Sequence, residues 1–191
     1  AHSSTYLDDE LGFVTDQMLE DIERIKENDY DYYRYLYLGE AVGLGNNVYN
    51  MSMFHAIDAL PSDDKLIGIS FALDGGHQQS ATACCAFGIT AKGKVILLDT
   101  WYYSPAGQVV KKAPSQLSKE IYAYMRSVIE KYRVQALQYT IDSAEGALRN
   151  QMFLDFGLKW HPVAKLRKVT MIDSFQSLLA QGRFYYLNTE N

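Results

Sequence analysis

Cysteine is scarce in this chain. Its 191 residues hold two, Cys84 and Cys85, side by side in an apolar run. That excludes a disulfide scaffold and offers no zinc-type spacing; two core thiols in a reducing compartment are the simplest reading. Long apolar runs are also missing, and none approaches the roughly 20 residues needed to span a bilayer. The first residues do not resemble a signal peptide, so a soluble, intracellular chain is expected. Basic residues are outnumbered, with 18 Lys and Arg against 23 Asp and Glu and a net charge of −5. This argues against a basic coat over the whole surface but leaves room for a local basic groove.

What is present is ordinary globular material, 48% hydrophobic and 21% charged, enough for one domain with a real core and an appendage. Tyrosine is abundant, with 15 copies, several near the N-terminus. Thr15 to Asn28 has Met18, Leu19, Ile22 and Ile25 at helical spacing behind a Thr15 cap. Asp29 to Leu38 predicts a second, aromatic helix. Gly43-Leu44-Gly45 lacks a preceding strand and a clear following helix, so a nucleotide-binding loop is disfavoured. Val48 to Ala59 reads as a short strand or connector, and Pro61 to Asp64 as a turn bounding the main domain. The expected organisation is a linker segment over residues 1–60 and a main domain over 61–191.

From Lys65 the pattern turns to strands. Leu66 to Leu73 alternates, so that Ser70 and Asp74 share a face. Ser80 to Thr90 and Lys94 to Tyr103 flank a hairpin-type turn at Ala91 to Gly93. Ser104 to Pro114, with Pro105, Gly107 and the pair Lys111-Lys112, reads as a loop or projecting hairpin. Ser115 to Arg133 is an amphipathic helix through Leu117, Ile121, Met125 and Val128. Val134 to Ile141 predicts a strand ended by Asp142, with Ser143 as the cap of a helix whose first turn holds Glu145. Leu158 to Ala164 predicts an edge strand broken at Pro162. Thr170 to Gln181 predicts a helix with a Thr170–Asp173 cap and a Gly182 stop, and Phe184 to Leu187 a last strand. Three antiparallel strands followed by α-β-α-β-α is the order of an α/β, ribonuclease H-like mixed sheet flanked by helices. In that order the strands ending at Asp74 and Asp142 are neighbours.

Two neighbouring carboxylates suit either glycoside hydrolysis around a sugar or phosphoryl transfer around hard divalent cations. Oxygen ligands favour Mg²⁺ or Mn²⁺, which keep waters and substrate phosphate oxygens in their shells. Lys165, Arg167 and Lys168 form a basic cluster that could grip a phosphate backbone, with Arg149 and Lys111-Lys112 as possible additions. A solvated loop is the bland alternative for the cluster, and a capping or turn role the bland alternative for Asp142.

Ile69-Ser-Phe-Ala-Leu-Asp-Gly-Gly-His-Gln-Gln-Ser-Ala-Thr82, Tyr139-Thr-Ile-Asp-Ser-Ala-Glu-Gly-Ala-Leu-Arg-Asn-Gln151 and Pro162-Val-Ala-Lys-Leu-Arg-Lys168 resemble the C-terminal nuclease domain of tailed-phage terminase large subunits, most closely those of phages of Gram-positive bacteria. Ser4 to Asp9, Tyr37 to Glu40 and Gly45 to Tyr49 resemble the segment that links this family's packaging ATPase to its nuclease. The resemblance implies a RuvC-type fold and an endonuclease that cuts concatemeric double-stranded DNA with two divalent metals in the host cytoplasm. It also implies a terminase small subunit and a portal protein as partners. Asp142 carries over as a catalytic metal ligand.

The chain departs from the family pattern in two places. Many relatives carry the first acid as Gly-x-Asp where Ser70 stands here, and Asp74 is the available substitute on the same face. The family's third acidic cluster has no match before Asn191, so the third ligand is expected beyond it. Asp173 is accounted for by its capping position, Asp99 by pairing or exposure, and His77 by an exposed loop. A transposase or resolvase core, and a non-catalytic module that docks on DNA or a packaging partner, are the competing readings.

Overall fold

The computed structural model describes residues 6, 14–38, 48–76, 80–164 and 168–188. They form two compact units, Ala1–His55 with Lys168–Phe184, and Ala56–Arg167 with Tyr185–Asn191.

In the first unit, Thr15 caps α1 (Asp16–Asn28), its Oγ1 accepting from the Met18 amide at 3.3 Å. Asp29 then caps α2 (Tyr30–Tyr37), its carboxylate accepting from the Tyr32 amide at 3.0 Å. A side-chain acceptor at this position meets one of the donors that the first helical turn leaves open. Ile22, Ile25, Tyr32, Tyr33 and Ala180 form the unit's buried cluster. Phe54, Phe175 and Phe184 meet one another edge to face. The third helix of this unit runs Lys168–Ala180 and is designated α5, the last in chain order. It starts before Thr170, which therefore lies inside the helix and not at its cap. Gly182 ends the following turn with φ +65°.

The second unit is built on a mixed sheet. In chain order its strands are β1 (His55–Ile57), β2 (Leu66–Asp74), β3 (Thr82–Thr90), β4 (Val95–Tyr103), β5 (Ala136–Asp142), β6 (His161–Val163) and β7 (Phe184–Leu187), laid side by side as β1-β7-β4-β3-β2-β5-β6. β2, β3 and β4 form an antiparallel meander, and β5 runs parallel to β2 on its other side. The expected Leu158–Ala164 strand is shorter than its apolar pattern suggested. Only His161–Val163 pairs, with β5 alone, and it ends the sheet with Pro162 in it, as a residue without an amide proton requires.

One face of the sheet is covered by α3 (Pro114–Tyr132) and α4 (Gly146–Phe156). Ile69, Phe71, Leu73, Cys84, Ala86, Ile96, Leu98 and Ile141 meet Leu117, Ile121, Met125, Val128, Leu148 and Met152 there. Burying each large aliphatic or aromatic side chain contributes about 1.5–3 kcal/mol. Ser118 ties the two helices together by donating to Asp155 at 2.7 Å. Gly68 lets β5 approach β2, because a Cβ at that position would overlap the Leu137 side chain. Cys84 is buried and Cys85 partly so, and both are free thiols. Burial pushes the Cys84 thiol far up, so it stays protonated and serves as core.

Candidate active site

β2 and β5 pair in parallel through Phe71–Tyr139, Ala72–Thr140 and Leu73–Ile141. Each strand has one more residue, Asp74 and Asp142. The two acids therefore end neighbouring strands at one level, on backbones about 4.8 Å apart across the strands. Leu73 and Ile141 are buried against α3 and α4, so period-2 alternation turns both acids to the opposite face. Asp74 is exposed and Asp142 half-buried. The same register sets Ser70 opposite Gln138, four residues or about 13 Å before the strand end. At the level of Asp142 the acid on β2 is Asp74, and Ser70 is well removed from it.

Asp142 also makes a turn. Its Oδ1 accepts from the Ala144 amide at 3.1 Å, and its carbonyl accepts from the Glu145 amide at 3.0 Å. This corrects the expectation for Ser143. The helix begins only at Gly146, Glu145 occupies the cap position without a side-chain cap bond, and the Ser143 amide is spent on Val163 O at 3.0 Å. The physical cause is competition, since an Asp carboxylate that hydrogen-bonds two residues ahead holds the chain in a turn.

The turn delivers a carboxylate the sequence reading treated only as a helix acid. Glu145 is 5% exposed, and its side chain lies against Gly75, where a Cβ would overlap it. Gly75 directly follows Asp74, so Glu145 is anchored at the same sheet edge. The signal available in sequence was the Gly75-Gly76 pair, which marks a close approach as well as a turn. Beyond it, the Gly76 amide donates to Thr82 Oγ1 at 3.2 Å and the Ser80 amide to Gly76 O at 2.8 Å, pinning the connection from β2 to β3. Among the described residues no group of three or more His, Cys, Asp or Glu is close enough to hold a metal by itself.

Asp99 is elsewhere. It pairs with Ala86, a core residue, so it faces α3 and not the carboxylate pair, and its Oδ1 accepts from the Thr100 amide at 2.7 Å. Burial and then the charge of Asp99 push the Tyr124 hydroxyl far up. Asp173 is exposed on α5 in the first unit. There, after burial, its charge helps raise the Tyr32 hydroxyl.

Of the expected phosphate-gripping residues, Lys165 and Arg167 lie outside the described residues, as do His77 and Gly43 to Gly45. Lys168 is the exposed first residue of α5. Arg149 lies on α4 and lines a groove of about 370 Å³ with Gly146, Asn150, Phe153, Leu158, Lys159 and Trp160. Two cations and no acid line it. Lys159 is the residue sequence reading missed here, because it stands alone between an aromatic and an aliphatic neighbour and forms no charge run.

A meander with a parallel strand beside its first member, helices on one face and acids at the ends of the adjacent parallel strands β2 and β5 define a ribonuclease H-like domain. The chain belongs to the family described as "Terminase RNAseH like domain", whose model matches residues 74–191, and residues 1–40 match "Phage terminase large subunit". Among solved structures, the large terminase nuclease from thermophilic phage G20c is similar at 12% identity and a TM-score of 0.52, over 76% of this chain and 77% of that one. The human cytomegalovirus terminase nuclease domain is similar at 11% identity and a TM-score of 0.48, over 92% and 79%. The HK97 bacteriophage large terminase is similar at 14% identity and 0.48, over 92% of this chain and 42% of that one. No curated protein matches by sequence. Among the described residues no helix is long and apolar enough to cross a membrane.

Proposed function

We propose that this chain is the nuclease part of a phage packaging terminase, a divalent-metal-dependent endonuclease that cuts concatemeric double-stranded DNA by two-metal phosphodiester hydrolysis. The observation that carries this reading is the pairing of Asp74 and Asp142 at the ends of adjacent parallel strands in a member of the terminase RNAseH-like family. Their donor set fits Mg²⁺ or Mn²⁺. It is oxygen only, and such cations commonly take one or two carboxylates and complete their shells with water and substrate phosphate.

The chemistry such cations supply when bound is activation of a water and steadying of the leaving oxygen. The protein's part is to hold the carboxylates in place. The Ala144 amide fixes the Asp142 side chain, and sheet pairing fixes both backbones. Arg149 and Lys159, which line one groove, offer positive charge to the DNA backbone, and Lys165, Arg167 and Lys168 are taken to serve the same end. In this reading residues 1–60 link the nuclease to a packaging ATPase, the small terminase subunit and the portal protein are partners, and the work is done in the host cytoplasm.

Plasmid nicking with Mg²⁺, Mn²⁺ or chelator tests the proposal. Metal-dependent nicking that disappears with chelator is expected; no nicking in either metal overturns it. A second reading is a DNA-docking module without catalysis, because Ser70 stands where the family resemblance implies an acid. Metal-independent DNA binding with no cleavage would support that reading.

A further inference from the structure

The loop between β4 and α3 carries a feature that the cleavage chemistry does not use. Val109 is 101% exposed and Val110 is 82% exposed. Two adjacent aliphatic side chains held wholly in water gain nothing for the fold. They do not belong to a slack segment. Tyr103, buried at the end of β4, donates from its hydroxyl to Gln108 Oε1 at 3.2 Å and accepts from the Lys112 amide at 3.0 Å. Gln108 in turn donates to Ser104 O at 3.2 Å, and the Ala106 amide donates to Ser104 Oγ at 3.3 Å. Lys112 is drawn back, its Nζ pairing with Glu120 at 2.6 Å and lying 4.9 Å from the centre of the Tyr103 ring. The valines are thus presented from a fixed base, followed directly by the exposed Lys111.

The place of the loop matters as much as its composition. Thr82 pairs with Tyr103, and Ala83 pairs with Asp74. β4 therefore runs parallel to β2 and ends at the same sheet edge, two strand spacings or about 10 Å from Asp74. The loop leaves the sheet on the edge that carries Asp74 and Asp142.

We infer that Val109 and Val110 form a wedge that inserts between base steps of duplex DNA at the sheet edge where the Asp74 and Asp142 strands end, with Lys111 on the adjoining phosphate. The inference rests on the nuclease reading. Apolar side chains wedged between base steps are a means by which proteins unstack and kink a duplex, and the adjoining cation opposite a polyanion decides for DNA over an uncharged protein surface.

The experiment uses duplexes carrying 2-aminopurine at several positions, with the wild-type chain and chelator present to stop cleavage. Wild type raises the fluorescence severalfold at saturation. Val109→Ser with Val110→Ser removes most of that rise and changes Kd by less than about threefold, because phosphate contacts dominate affinity. Lys111→Ala weakens binding and lowers the salt slope by about 0.9. Val109 is fully exposed and Val110 largely so, so a loss of signal is not a loss of fold; circular dichroism checks this. An equal rise in the serine variant overturns the wedge, as does a flat wild-type signal alongside Mn²⁺-dependent nicking. Loss of binding to a packaging protein with the rise intact would make the loop a protein-docking surface and also overturn it. A rise abolished by the serine substitutions in a chain that nicks nothing keeps the wedge and removes the nuclease.

Discussion

The Glu145 side chain packs against the bare Cα of Gly75, the residue that follows Asp74, in contact so close that a Cβ there would overlap its carboxylate. The obstacle to a larger residue is the far end of a side chain and not backbone. Gly75→Ala should therefore fold, with Tm lowered by a few degrees, and push Glu145 out of position. Nicking should fall about 10- to 100-fold if Glu145 supports the acids beside it. Full activity in a folded Gly75→Ala variant would show that Glu145 is only packing.

The carboxylate pair makes a sharper claim. Asp142→Asn keeps an acceptor for the Ala144 amide, so the turn survives while the charge is lost. Cleavage should drop about 100- to 1,000-fold or more, with an unchanged circular dichroism spectrum. Asp74→Asn should behave alike, and Ser70→Ala should leave nicking within about twofold, since Ser70 sits about 13 Å from the strand end. If Ser70→Ala alone is inactive, the first acid has been misplaced.

Metal preference follows from the small number of carboxylates. Mn²⁺ should support faster nicking than Mg²⁺, which demands near-octahedral geometry and sheds water reluctantly. Rates measured at matched concentrations check this, and equal rates in Mg²⁺ would point to a more complete ligand set.

The groove predicts salt dependence. Arg149→Ala and Lys159→Ala should each lower the slope of log K against log salt by about 0.9 for one lost phosphate contact, regardless of DNA sequence. Unchanged slopes would leave DNA to the 165–168 cluster.

Stability should respond to acid through Asp64, which is 2% exposed at the start of the meander. Burial alone would push its carboxyl up. Hydrogen bonds from Thr90 Oγ1 at 2.7 Å and the Lys92 amide at 2.9 Å, with the Lys94 and Lys92 charges, outweigh it and hold the carboxyl below its ordinary range. A depressed folded value contributes stability above the unfolded pKa of about 3.9, and the contribution is lost as pH falls through the folded value. Asp64→Asn should lower Tm at pH 7, and the gap to wild type should close below about pH 4. A gap that persists unchanged at low pH would assign the effect to packing.

Much of this molecule follows from local pattern. The alternation of Leu66 to Asp74, the turn at Ala91 to Gly93 and the 3.6-residue spacing from Leu117 to Val128 are each set by neighbours in the chain, and periodicity registers them directly. The order of these elements was enough to expect a ribonuclease H-like sheet with the Asp74 and Asp142 strands adjacent. Helix starts were less accessible. Ser143 and Thr170 have the right chemistry for caps, yet α5 begins at Lys168, and Asp142 takes the turn before Ser143 can cap, because a capping side chain competes with other acceptors nearby. What only tertiary structure decided are relations between strands: the β2–β5 register that sets Asp74 and not Ser70 level with Asp142, the approach of Glu145 to Gly75, and the shared sheet edge of Tyr103 and Asp74. Register and close approach depend on how distant segments pack, and no residue's own type or spacing encodes which partner it will meet.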